Sequence, residues 1–554
     1  MGGRLIGAGL ALVLLSGCSA GPPGTEDEEP EPTAKASPTP QPSVAAAPDP
    51  KGAITTRPLY TEQITGEASV TLHRVDGDTM VARMKVRNEK GGGFRVWPAL
   101  ADQSGPIDHY PWNGFSGVAW LDPDGRSLHK PYFRPDRSCL CSTSGKSGKE
   151  ERYLGEGEEI DVHAVLDAPP EDVKAVTLVT SLAEPFVDVP ISDGAPDGVE
   201  FDDPEDEPDA EPETADLEAV TETRDSMVFD NADHWAVNLP ADDLFFPNSA
   251  RLTGLGTRTL EDMAKRMREE RVTEAAIGGH TDDSDDASVS GPLSTAQAES
   301  VEKALGEGLK GRVALTAKGY GNGNPIADNG TDPGRERNRR ITISLPKDQE
   351  LHPMAPAPPS GSPSPGASPS PEPPDAPSPT PSTPLWNGPS PTPSAGPGDR
   401  RGKGRPAAEF AVTGAAAAGE EPRVDVALTG LRAVSERSAL LGYEVTNPGD
   451  EEVLLNLDSV SDQWRAFRAG AAHAVYLDSP GDLRAHPVRV RSVDDEKAAP
   501  YCLCSSTSGI SNGTDTLGPG QTRRFYAVLP IEPGAKAASV KIGVMPEMKG
   551  VRID

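Results

Sequence analysis

The sequence predicts a multidomain, β-rich chain: a central α+β domain of two helices on a small mixed sheet, flanked by two duplicated all-β immunoglobulin-like sandwiches, all joined by disordered Pro-rich and acidic linkers. Three observations predict it. Pro-rich and acid-rich stretches separate three foldable blocks. The tetrapeptide Cys139-Leu140-Cys141-Ser142 recurs 363 residues further on as Cys502-Leu503-Cys504-Ser505. Apolar residues at helical spacing stand in the middle block, whereas the outer blocks show short alternating runs. The expected organisation is a signal segment over 1–18, a tether over 19–51, a β module over 52–192, an acidic linker over 193–225, the central domain over 226–346, a Pro/Ser-rich linker over 347–405 and a second β module over 406–554.

The first element is an export signal. Arg4 supplies positive charge, Leu5 to Leu15 form an apolar run too short to span a bilayer, and Leu15-Ser16-Gly17-Cys18 ends it with small residues before a cysteine. That tetrapeptide resembles a bacterial lipobox, which implies lipidation of Cys18 and a membrane anchor. The other reading is an ordinary signal peptide with an incidental cysteine. A lipidated product would sit on the outer face of the cytoplasmic membrane in a Gram-positive cell and in the outer membrane in a Gram-negative one.

Charge and cysteine usage fit that compartment. Lys and Arg total 53 against 86 Asp and Glu, a formal charge of -33, so the overall field repels nucleic acid and no nucleic-acid partner is expected. Beyond Cys18, the cysteines fall into two Cys-x-Cys pairs, an even number suited to an oxidising envelope. Local disulfides, bridges between the modules, and metal or redox chemistry all remain open for Cys139, Cys141, Cys502 and Cys504; no flanking His or second pair completes a tetrahedral zinc set, so no metal is assigned.

The linkers follow from composition. Ser19 to Lys51 is Pro, Ser, Ala and Glu, too poor in apolar surface to offset ordering entropy, and at ~3.1 Å per residue it would reach roughly 100 Å. Asp193 to Asp225 is rich in Asp and Glu and is expected to extend by self-repulsion.

In the first β module Val70-Thr71-Leu72, Met80 to Val86, Ile160 to Leu166 and Val176 to Val179 read as strands; in the second, Val424 to Leu428, Leu440 to Val445, Arg523 to Leu529 and Val540 to Val544 do. The 363-residue offset also carries Leu154, Gly155 and Gly157 onto Leu517, Gly518 and Gly520. Gapped matches pair Asn88 with Asn447 and Trp120 with Tyr476. Asn113-Gly114 and Asp124-Gly125 are hairpin candidates.

In the middle block Leu260, Met263, Ala264 and Met267 fall on one helical face, in a helix starting near Asn248 or Thr257. Ala275-Ala276-Ile277 reads as a strand. Ser294 and Gln297 form a capping box for a second helix with Ala298, Val301 and Leu305 inward. Val313, Leu315 and Ala317 alternate, as do Ile341, Ile343 and Leu345.

This block also carries, in order, Phe245-Phe246, Ile277-Gly278-Gly279-His280-Thr281-Asp282, Leu293-Ser294-Thr295-Ala296-Gln297-Ala298, Pro325-Ile326-Ala327-Asp328-Asn329 and Asn338-Arg339-Arg340-Ile341. The series resembles the OmpA-like, peptidoglycan-associated family over about Val228 to Leu345. The resemblance implies a groove for the diaminopimelate of the peptidoglycan stem peptide. It assigns Asp282 to the ligand ammonium, Arg339 to a carboxylate, and His280 and Thr281 to loop shape and polar contacts, and it counts Asn338, Gln297 and Ser290 among the peptidoglycan-binding residues. Two positions depart from the family pattern: Gln297 stands for its arginine and Ser290 for its asparagine. Gln297 either donates a neutral hydrogen bond or serves only as a cap, so wall binding is retained, altered in preference or lost with the fold kept.

The expected function is thus a lipid-anchored envelope protein that binds peptidoglycan noncovalently and links membrane to wall. The second reading is an adhesion or scaffolding lipoprotein whose β modules bind a protein or glycan partner while the central domain is degenerate. His109, His129, His163 and His280 stand in unrelated contexts without a paired nucleophile and base, so no catalytic residue, cofactor or enzymatic role is assigned.

Overall fold

The computed structural model describes residues 54–60, 64–102, 114–144, 153–222, 226–231, 234–269, 271–327, 329–346, 405, 407–415, 423–455, 475–479, 483–492, 501–505, 516–543 and 545–554. The signal segment with Cys18, the first tether, nearly all of the Pro/Ser-rich linker, Asn113 and Val544 lie outside the described residues.

The middle block forms a mixed sheet with its helices on one face. His234–Pro240 runs antiparallel to Arg340–Pro346, which is antiparallel in turn to Glu274–His280; the latter pairs in parallel with Ala314–Gly321. Helices Gly254–Glu269 and Ala287–Leu309 cover one face. Leu260, Met263, Ala264 and Met267 bury their stripe against Ile277, Ile341 and Ile343, as the helical spacing predicts. Gly279 is what lets the second helix lie this close: a Cβ there would stand 2.0 Å from the Ser294 carbonyl oxygen.

Two sequence expectations change here. The first helix starts at Gly254, where the Thr253 hydroxyl accepts from Gly256 N–H at 2.8 Å. The second starts at Ala287 rather than at Ser294, because Asp286 caps it by accepting from Ser288 N–H at 2.8 Å. Pro292 sits inside this helix and forfeits one main-chain bond without ending it. Ser294 therefore is no cap; its hydroxyl donates to Gly291 O at 2.9 Å and accepts from Gly321 N–H at 3.0 Å, stitching helix to strand. The structure also adds short helices Ala241–Leu244 and Asp332–Asn338 to the two expected, each too short to write an apolar stripe.

The flanking blocks are β-rich, and the same pairings recur in both. Ala82 opposes Ala164 in one, Leu441 opposes Ala527 in the other. Trp120 opposes Leu178, and Tyr476 opposes Lys541. The buried Asn88 amide donates to Gly92 O and Leu154 O, and Asn447 donates to Glu451 O and Leu517 O. Gly157 and Gly520, at φ 79° and 69°, return their N–H to the Asn88 and Asn447 carbonyls. The gapped sequence matches therefore mark equivalent positions in space. Asp124-Gly125 lies in the turn between Val118–Leu121 and Ser127–Phe133, with Gly125 at φ 74°.

The acidic segment departs most from expectation. Instead of forming a self-repelling tether, Glu211–Glu222 is a strand antiparallel to Ser127–Phe133 of the first block and to Leu483–Ser492 of the second. Its carboxylates meet cations from its neighbours: Glu213 binds Lys130 at 2.8 Å, and Glu218, 1% exposed, binds Arg489 and Arg491 at 3.2 Å each. Its apolar residues close a shared core in which Leu217 packs with Leu121 and Leu128 from one block and Val488, Val490 and Val528 from the other. The two β blocks are thus docked on this strand. Self-repulsion loses because the opposite charges are far away in sequence and adjacent in the fold.

Candidate functional site

Strand register assembles the site. His280 opposes Arg340, and Pro240 opposes Arg340 from the other side, so the segments that continue past these three strands emerge together. Asp282 follows the first, Arg339 precedes the second, and Asp242 follows the third in the short helix Ala241–Leu244. Ala241 N–H donates to Arg339 O at 2.9 Å and locks this junction.

Arg339 is the hub. Its Nη1 donates to Asp282 Oδ2 at 2.5 Å, while Nε and Nη2 donate to the Asp242 carboxylate at 3.0 and 2.7 Å. The Asp282 side chain is 8% exposed and that of Arg339 35%, so the acid is buried and the guanidinium partly open to solvent. Asp282 Oδ1 accepts from Ser284 N–H at 3.0 Å. Burial alone would raise the Asp282 pKa, but the Ser284 amide and the Arg339 guanidinium outweigh it and hold the carboxyl below its ordinary range. Arg339 is pushed upward by its bonds to Asp242 and Asp282 and stays charged.

His280 is 6% exposed and stacks on Tyr320 with ring centroids 4.9 Å apart. Burial, then the charge of Arg340, lower its pKa to about 2, so the imidazole is neutral. Its Nδ1 and the Thr281 hydroxyl are buried with no hydrogen-bond partner among the described residues.

The other expected site residues serve the frame. Asn338 is fully buried, and its amide makes all four of its bonds internally: Oδ1 accepts from Ile326 and Ala327 N–H, and Nδ2 donates to Ala327 O and Asn329 Oδ1. It ties down Ile326, Ala327 and Asn329, and its side chain has no polar atom left for a ligand, which corrects the contact role expected of it. Gln297 is 6% exposed and donates to Ser249 O at 3.2 Å. Ser290 is 1% exposed and donates to Asp286 O at 3.0 Å. The residue that sequence reasoning missed is Asp242; its one signal was its place just before the Leu244-Phe245-Phe246 run.

Cys139 is bonded to Cys141 and Cys502 to Cys504, so each pair closes locally, in place of a bridge between modules or a metal set. Cys502 and Cys504 pack with Val220, Phe229 and Ile326, at the seam between the second β block and the loop that Asn338 holds.

A family model described as the OmpA family matches residues 244–339, the segment that holds the Asp282–Arg339 pair. The outer-membrane lipoprotein YfiB of Pseudomonas aeruginosa is 31% identical over 112 residues, which cover 20% of this chain and 67% of that protein. The YfiB protein of Escherichia coli K12 is 32% identical over 117 residues, covering 21% of this chain and 73% of that one. Among solved structures, the cell wall anchor of the T6SS from Pseudomonas aeruginosa is 28% identical, with a TM-score of 0.21, over 22% of this chain and 86% of that one. Through its middle block, the chain belongs to the OmpA family.

Proposed function

We propose that this chain is an exported cell-envelope lipoprotein, lipidated at Cys18, that binds peptidoglycan noncovalently through its OmpA-family domain and so links a membrane to the cell wall. The observation that carries the reading is the Asp282–Arg339 pair, a buried carboxylate and a half-open guanidinium 2.5 Å apart at the ends of adjacent strands. A diaminopimelate side chain offers an ammonium, and a carboxylate kept ionised is the group that receives one. Just before Asp282 in the chain, His280 Nδ1 and Thr281 Oγ1 are buried neutral polar atoms with no hydrogen-bond partner among the described residues. The lipoprotein name of the Pseudomonas aeruginosa relative supports the anchor. The role is that of a tether and not of an enzyme, with the flanking blocks as duplicated immunoglobulin-like sandwiches. Two modest attachments on one chain reinforce each other through effective concentration.

Co-sedimentation with protein-free sacculi tests it. Wild-type chain is expected in the pellet and Asp282→Ala mostly in the supernatant, with matched thermal melts as the folding control. Equal pelleting of the two would count against the site.

A further inference from the structure

A guanidinium grips a carboxylate most firmly through an edge that offers two N–H groups, and arginine has two such edges. In Arg339 the Nε–Nη2 edge already carries Asp242, at 3.0 and 2.7 Å. On the other edge Nη1 is committed to Asp282 at 2.5 Å. The Nε–Nη2 edge is thus closed to a ligand, and Nη1 and Nη2 keep one N–H each. The directly bonded set is therefore two carboxylates against one cation, an excess of negative charge before any ligand arrives.

Among the described residues no other cation is bonded to either carboxylate. Gln297, where the resemblance expects an arginine, is neutral and turned to Ser249 O. Arg251 lies over the Phe246 ring at 4.0 Å and Lys318 over the Tyr320 ring at 4.7 Å. Arg340 is 5% exposed and donates to the Asn324 and Asn338 carbonyls. A ligand carboxylate entering here has to displace Asp242 or stand beside it, whereas a primary amide brings N–H donors that suit the surplus acceptors.

Resting on the wall-binding reading above, we infer that this site selects a stem-peptide diamino acid that presents its ammonium with the neighbouring carboxyl neutralised as an amide, over the same peptide with that carboxyl free. Asp242 is the specificity-determining residue, because its charge already fills the two-donor edge that would grip a free carboxylate.

Titration calorimetry on the full chain, with two synthetic stem peptides that differ only in this amide, tests the inference. The amidated peptide is expected to bind about fivefold more tightly or better. Asp242→Asn removes the competing negative charge and Gln297→Arg adds a cation; either is expected to erase or reverse the preference. Equal or tighter binding of the free-acid peptide to wild type overturns the inference and leaves wall binding standing, as does a preference unchanged in both variants. Failure of both peptides to bind overturns the wall-binding reading along with it.

Discussion

Glu222, the last residue of the strand that joins the two β blocks, binds Arg337 at 2.6 Å, two positions before the Arg339 of the candidate site. Its other oxygen meets His486 of the second β block at 3.0 Å. One carboxylate thus ties together the bridging strand, the second block and the helix that leads into the site.

This junction is expected to be acid-sensitive. Burial by itself would raise the Glu222 pKa, but the His486 hydrogen bond and the Arg337 charge override it and bring it down from 4.5 to about 2. A carboxyl depressed on folding contributes stability that is fully present above its unfolded pKa and is lost as pH falls through the folded one. The window therefore runs from about pH 4.5 down to about pH 2, and the contribution is on the order of 3 kcal/mol. Urea melts across that range are expected to show the loss, and Glu222→Gln to flatten it; an unchanged pH slope in the variant would remove Glu222 as the cause.

Leu217 tests whether the β blocks are docked or strung on a tether. It is 2% exposed in the core shared by the two blocks, so Leu217→Ala is expected to cost about 3 kcal/mol. Chemical denaturation should register that cost, and limited proteolysis should open the 211–222 strand. A tethered arrangement predicts no change in either.

Asn338→Ala removes four internal hydrogen bonds at a site with no exposed surface, and a loss of about 3 kcal/mol is expected. Hydrogen exchange at the Ile326 and Ala327 amides is the direct readout, since both donate to the Asn338 carbonyl. If those amides stay protected, the loop is held by something else.

Adjacent glycines in the strand before Asp282 are expected to answer differently to the same substitution. A Cβ on Gly279 meets main-chain Ser294 O at 2.0 Å, whereas one on Gly278 meets the His280 and Tyr320 rings at 3.0 and 3.1 Å. Side chains yield more easily than a helix backbone, so Gly279→Ala should destabilise by about 3 kcal/mol and Gly278→Ala by about 1 kcal/mol. Thermal melts that rank them in the opposite order would contradict the packing described.

Local pattern determined much of this protein from sequence alone. The Leu260–Met267 stripe, the alternation at Ile341, Ile343 and Leu345, and the recurrence of Cys-Leu-Cys-Ser are short-range signals, and each corresponds to an element or equivalent position in the fold. Asp282 and Arg339 were singled out by the ordered motifs of the family, as contacts to opposite ends of a ligand; their bond to each other came from the structure. Tertiary structure alone decided the rest. In Glu211–Glu222 the alternation of Ala215 and Leu217, broken by a register shift before Val220, was hidden beneath acidic charge, and that charge becomes tolerable only beside Lys130, Arg489 and Arg491, which register brings in from distant segments. Asp242 joined the site, and Asn338 withdrew from it, for the same reason: a polar side chain's role is set by which partners lie within about 3 Å, and sequence spacing does not carry that distance across a sheet.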